Sequence, residues 1–150
     1  MTTYKPEWLC QQIVENAPDA VILADRDGII RLWNGGAEAV FGYGAEEALG
    51  QSLDLIVPER FRDRHWAGFR NTMATGLTRY GRELLAVPAI RKDATRISVE
   101  FSVAVLRDSE GQVLGVAAIM RDVSERWREQ KELRERLATL EAQVAGTRAD

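Results

Sequence analysis

From Arg96 to Leu106 apolar and polar residues alternate: Ile97, Val99, Phe101, Val103 and Val105 fall on one side, Ser98, Glu100 and Ser102 on the other. A period of two sustained over that length specifies a half-buried β-strand, packed on one face and wet on the other. Such a strand needs partners, and the rest of the sequence supplies them. Ala20 to Ala24 is a continuous apolar run, Asp25-Arg26-Asp27-Gly28 is turn chemistry, and Ile29 to Trp33 returns, so the three read as a β-hairpin. Arg82 to Ile90 is a further strand, with Pro88 marking an edge or a bulge. Arg91 to Ala94 and Arg107 to Gly111 are turns, and Gln112 to Arg121 makes the fifth strand.

Helical spacing fills the gaps. Glu7 to Ala17 is amphipathic through Trp8, Leu9, Ile13 and Val14, and ends ahead of Pro18. Asn34 is placed to cap a short helix over Gly36 to Val40, and a second runs from Ala45 to Leu49. From Pro58 to Ala74, Phe61, His65, Phe69 and either Thr72 or Met73 recur every three or four residues and share one face of a longer helix. On that wheel Trp66 points about 100° away from His65 and lies off the same face. From Val123 the pattern becomes a heptad: Val123, Leu133, Leu137, Leu140 and Val144 take core positions, with Arg126 and Gln130 in two weaker ones. A parallel coiled coil or a linker to one is expected there, the alternative being a solvated amphipathic helix.

The expected organisation is α+β: a flanking helix over 1–17, a five-stranded antiparallel core over 18–122, and a coiled-coil helix over 123–150. At 150 residues the chain is one domain's worth, 45% hydrophobic and 29% charged. Its net charge of −3 argues against a nucleic-acid-binding face. A single cysteine, Cys10, excludes an internal disulfide and a cysteine-rich zinc site. No apolar run is long enough to span a bilayer, and the opening residues lack the apolar stretch of a signal peptide. A cytoplasmic protein without membrane or nucleic-acid partners is expected. No nucleophile elbow or phosphate-cradling loop is present, so binding and relay are expected rather than enzyme chemistry.

An ordered set of short motifs carries a resemblance. Asn16-Ala17-Pro18-Asp19-Ala20, Asp27-Gly28-Ile29-Ile30, Trp33-Asn34, Ala37-Glu38 and Phe41-Gly42-Tyr43 follow one another in the order seen in PAS sensory domains. Leu49-Gly50, Arg91-Lys92-Asp93 and Arg121-Asp122-Val123-Ser124 complete the series. The resemblance implies a PAS-like five-stranded antiparallel sheet with short helices on one face and a ligand pocket between them. It also implies that Asp122, Val123 and Ser124 form the junction that relays a signal into the C-terminal helix. Ala94 departs from the family pattern, which has glycine after Lys-Asp. A type I turn, or a left-handed Asp93, would absorb the change.

Cofactor classes sort by residue within the resemblance. Flavin photosensors of this fold carry a reactive cysteine in a Gly-x-Asn-Cys-Arg context, whereas residues 50–60 here read Gly-Gln-Ser-Leu-Asp-Leu-Ile-Val-Pro-Glu-Arg. Cys10 lies outside the pocket-forming region, so flavin–cysteine photochemistry is not expected. His65 is the only histidine. It follows Glu59 by the spacing at which the haem-PAS oxygen sensors of nitrogen-fixing bacteria place their proximal histidine. The resemblance thus implies haem b with His65 as the iron ligand, and a pocket drawn from Phe61, Phe69, Tyr80, Leu85, Phe101 and Val103.

A gapless carry-over puts Leu85 where the oxygen sensors have an arginine, and Tyr80 is placed to donate a hydrogen bond to bound gas. An aliphatic wall at Leu84 and Leu85 favours carbon monoxide or nitric oxide over oxygen. Two other readings stand beside haem: a small organic ligand in the same pocket, or a ligand-free dimerisation or interaction module in which His65 is a half-buried core residue. A homodimer is expected, with a histidine kinase or cyclic-dinucleotide enzyme as fused effector or docked partner.

Overall fold

The computed structural model describes residues 3–78 and 85–149. Five antiparallel strands form one sheet: β1 (Ala20–Asp25), β2 (Ile30–Trp33), β3 (Leu85–Ile90), β4 (Arg96–Arg107) and β5 (Val113–Asp122), in the spatial order β2-β1-β5-β4-β3. β4 is the long strand that the alternation specifies. Its Ile97 and Val99 are buried, and its charged neighbours lie toward solvent. β3 is an edge strand, which explains how it tolerates Pro88, a residue with no N–H to give a second neighbour. The first and last strands in sequence meet at the centre: β1 pairs with β5 from Ala20–Met120 through Asp25–Gly115.

The helices are α1 (Pro6–Asn16), α2 (Gly35–Phe41), α3 (Ala45–Ala48), α4 (Arg62–Thr75) and α5 (Ser124–Ala149). One polar residue organises the first half of the chain. Asn34 is buried, and its Oδ1 accepts from the N–H groups of Val21 and Ala37, both at 2.8 Å. Its Nδ2 donates to the carbonyls of Val14 at 2.7 Å and Asp19 at 3.0 Å. The side chain therefore caps α2, as its position before the helix suggests, and also ties down the end of α1 and the start of β1. Gly36 lets α2 approach this knot, since a Cβ there would fall 2.0 Å from the carbonyl oxygen of Asp19. Trp33 closes the hydrophobic side, donating Nε1–H to the Tyr43 carbonyl at 2.9 Å and packing on Phe41.

Two local expectations change. The single helix expected from Pro58 to Ala74 is broken into a 3-10 turn at Glu59–Phe61 and α4. Pro58 is extended, the N–H of Phe61 bonds back to its carbonyl at 2.9 Å, and Phe61 itself sits at φ −106°, ψ 0°. Phe61 is thus the N-cap of α4 rather than a member of its face. At the β3–β4 turn the left-handed residue is Ala94, at φ 69°, and not Asp93. Asp93 instead uses its carboxylate to accept from the N–H of Thr95 at 3.0 Å, which holds the turn closed.

The strand expected from Arg82 begins at Leu85 among the described residues; Tyr80, Arg82 and Leu84 lie outside them.

A left-handed conformation costs a residue with a Cβ about 1–2 kcal/mol relative to glycine, part of which is offset by the more restricted unfolded chain. Ala94→Gly should therefore raise stability by about 0.5–1 kcal/mol, read as a higher urea midpoint at unchanged m-value. A lower midpoint would contradict the left-handed assignment.

Candidate functional site

The inner stripe of α4 is formed by Trp66, Phe69 and Met73, with His65 on its flank. Phe69 and Met73 are buried, and His65 and Trp66 half-buried. Trp66 therefore belongs to the same site as His65, contrary to its placement on the helical wheel. Two features draw it in. A Cβ on Gly28, which is left-handed at φ 76°, would meet Trp66 Cη2 at 2.2 Å, so only glycine leaves a surface on which the indole can lie. The indole Nε1–H then donates to Asp54 Oδ1 at 2.7 Å.

Around this contact the chain is cross-braced. Arg62 donates to the carbonyls of Val57 at 3.1 Å and Asp54 at 3.2 Å, and its guanidinium lies 3.8 Å from the Asp54 carboxylate. The His65 ring stands edge-on to Trp66 at 4.8 Å and tilted against Phe69 at 6.1 Å. Its Nδ1 is buried and has no hydrogen-bond partner among the described residues. Burial pushes the imidazole below its ordinary pKa, and the negative charge of Asp54 only partly opposes this. His65 is thus a neutral ring with an uncommitted nitrogen, suited to ligation or to accepting one hydrogen bond.

The other expected pocket residues are distributed unevenly. Phe61 precedes α4 as its N-cap, and its ring is flanked by the guanidinium groups of Arg60 at 5.1 Å and Arg96 at 5.8 Å. Leu85 and Phe101 are register partners across β3 and β4, and Phe101 continues the row to Met120. Val103 starts the adjacent row through Ala118 and Ile22 to Trp33 and packs against the buried core. Tyr80 lies outside the described residues. Met73, one of the two residues that spacing offered for that face, is the buried one, whereas Asp54 and Gly28 are contributions that residue spacing did not single out. The visible signals were glycine in the first hairpin turn and an aspartate just after a Ser52 cap.

The junction residues form a compact unit at the far end of the sheet. Asp122 Oδ1 accepts from the N–H of Ser124 at 2.9 Å and from its hydroxyl at 2.6 Å, capping α5. Among the described residues Asp122 makes no ion pair. Ser124 Oγ accepts from the N–H of Ser98 at 2.9 Å, and the N–H of Val123 donates to the Ser98 carbonyl at 2.8 Å. Val123 is buried. Arg126 of α5 pairs with Glu100 of β4, and Arg121 holds Asp19 through two contacts at 3.0 and 3.1 Å.

The depressed pKa of His65 has a pH signature in the ligand-free chain. As pH falls the unfolded chain takes up the proton first, so stability is complete above about pH 6.5 and declines toward the lower folded pKa. His65→Gln should flatten that decline in urea-unfolding midpoints measured from about pH 5 to 7.5. An unchanged slope would show that the imidazole is not held neutral by burial.

Among the described residues no helix is long and apolar enough to cross a membrane. A family model described as the PAS fold matches residues 9–123. The chain is 35% identical over 127 residues to an uncharacterized protein of Azorhizobium caulinodans, covering 84% of this chain and 17% of that protein. It is 31% identical over 128 residues to the sensor protein FixL of Bradyrhizobium diazoefficiens, covering 83% of this chain and 24% of FixL. The chain thus spans about a quarter or less of the length of these curated relatives. The solved PAS domain of a Colwellia psychrerythraea protein has the same fold, with a TM-score of 0.71 at 20% identity over 81% of this chain and 99% of that one. Strand order, the helices laid over the sheet and the match across residues 9–123 agree, and the chain belongs to the PAS family of sensory signalling modules.

Proposed function

We propose that this module senses a gas through haem held by His65 and passes the signal through Asp122, Val123 and Ser124 into α5. The observation that carries the reading is the half-buried neutral imidazole beside the apolar stripe of α4, whose Nδ1 has no partner among the described residues. Haem iron requires only one or two ligands from the protein, and the described residues hold no cluster of three or more His, Cys, Asp or Glu that would cage a bare metal ion. A lone histidine therefore fits a metal that arrives in its own macrocycle. When bound, haem would supply the site for carbon monoxide, nitric oxide or oxygen. His65 would hold the iron, Phe69 would wall the helix side, and Phe101 and Val103 would wall the sheet side. The likeness to a sensor protein over most of this chain supports a sensory role.

The output follows from the junction. Ser98 lies on β4, the strand that carries Phe101 and Val103, and its amide and carbonyl both bond to the start of α5. A ligand that favours one arrangement of β4 by about 1–3 kcal/mol would bias the pose of α5 by the same amount. Two chains joined through α5, acting on a histidine kinase or a cyclic-dinucleotide enzyme, complete the proposal. A second reading is favoured by the burial of Phe69 and Met73: side chains fill the space under α4, and the module joins chains without any cofactor.

The absorption spectrum of protein produced with haem precursor separates the two. A Soret band present in the wild type, retained in Trp66→Phe and lost in His65→Ala, with circular dichroism confirming that both variants fold, is the expected result. A flat spectrum in the wild type, or a band that survives His65→Ala, would overturn the haem assignment.

A further inference from the structure

Spacing assigns Phe61 to the inner face of α4, but the 3-10 turn at Glu59–Phe61 makes it the N-cap of that helix instead. Its half-buried ring gathers two exposed cations. Arg60 comes from the same turn, with its guanidinium carbon 5.1 Å from the ring centroid. Arg96, the first residue of β4 and the partner of Ile90 across the sheet edge, lies at 5.8 Å. Both are inside the distance of about 6 Å at which an aromatic face holds a cation.

This pair lacks what other cations of the chain have. Arg31, Arg62, Lys92, Arg121 and Arg126 each reach a carboxylate of the chain. Among the described residues Arg60 and Arg96 reach none, although acids outnumber basic residues by three. Glu59 and Asp63 stand on either side of Arg60 in sequence, and neither pairs with a guanidinium of this cluster. Two like charges drawn to one ring repel each other, and no anion of the described residues offsets the repulsion. A carboxylate from outside would offset it and accept charge-assisted hydrogen bonds from the guanidinium forks. A guanidinium already resting on a ring has lost part of its side-chain freedom, so less is lost when the carboxylate arrives. Two positioned cations on a chain of net charge −3 suit a few carboxylates, whereas a nucleic-acid backbone requires a longer basic track.

We propose that Arg60 and Arg96, ordered on the Phe61 ring, form a docking point for a segment of a partner protein rich in Asp or Glu. The position gives the contact a use. Arg60 leads into α4, which carries His65, and Arg96 opens β4, which carries Ser98 and its bonds to α5. A bound acidic segment therefore spans two elements of the module. The inference goes beyond gas sensing and holds with or without haem.

Fluorescence anisotropy of a labelled hexaglutamate peptide, titrated with the full chain at low salt, tests the docking point. The wild type should bind hexaglutamate and not hexaglutamine. Arg60→Gln with Arg96→Gln should weaken binding about tenfold or more. Phe61→Leu keeps both charges and removes only the aromatic face, and it should weaken binding severalfold. Arg128→Gln, which removes an exposed charge from α5, should leave binding unchanged. Circular dichroism reports whether each variant folds. Should one fail to fold, NMR of the wild type still decides, because the Nε–H signals of Arg60 and Arg96 should shift as hexaglutamate is added. Absence of binding, equal binding by the double variant, or unmoved Nε–H signals would each overturn the proposal. Inorganic phosphate that displaces the peptide at equal concentration would overturn it in favour of a small-anion site. Self-association abolished by the double variant would assign the surface to a second copy instead. The Soret band reports on His65 and not on this surface, so a flat spectrum with intact peptide binding sinks the haem reading alone.

Discussion

The fold turns on one amide. Asn34 sits between the two halves of the first hairpin's surroundings and satisfies the backbone of four segments at once: the end of α1, the residue before β1, β1 itself and the first turn of α2. Buried backbone groups left unpaired cost about 1–3 kcal/mol each, so no apolar residue of similar size could take its place. An aspartate would keep the two accepting contacts but turn the two donating ones into repulsion between oxygens. The knot anchors β1, and β1 pairs with both β2 and β5, so the central register of the sheet depends on it.

A rigid frame at that end gives the other end its meaning. The site on α4 is assembled from pieces that reach across the chain: Gly28 in the first turn, Asp54 after the Ser52 cap, and Trp66 laid between them. Trp66 and Arg62 share the task of holding the segment before α4, and His65 is carried into its half-buried place by that bracing. The result is a half-buried imidazole whose Nδ1 has no partner among the described residues, an arrangement that costs stability. Phe61, drawn off by two arginines, has left the helix face that simple periodicity assigned to it.

What could be read from the residues was whatever depends on near neighbours. Alternation specified β4, and turn residues specified the first hairpin. Proline limited β3 to an edge or a bulge, and Asn34 announced a helix cap. The heptad marked α5 as a helix with a seam. Contacts between distant residues were not legible in the same way. Nothing near Asn34 signals that its amide also reaches Val14 and Asp19. Likewise, a helical wheel cannot know that a glycine thirty-eight positions earlier leaves room for Trp66. The break at Phe61 was hidden because its cause, an extended Pro58, lies outside the periodic run. At Ala94 the departure from glycine was visible. Which residue of the turn would carry the left-handed conformation was settled by Asp93, whose carboxylate holds Thr95.

The central claim is mechanical: ligand binding shifts β4 and the start of α5 against a frame held by Asn34. Amide hydrogen exchange on haemin-loaded protein, with and without carbon monoxide, tests it most directly. The amides of Ser98 and Val123, which join β4 to α5, should change their protection on gas binding, while those of Val21 and Ala37, held by Asn34, should not. Identical exchange at Ser98 and Val123 in both states would contradict the claim and leave the junction a fixed hinge-free connection.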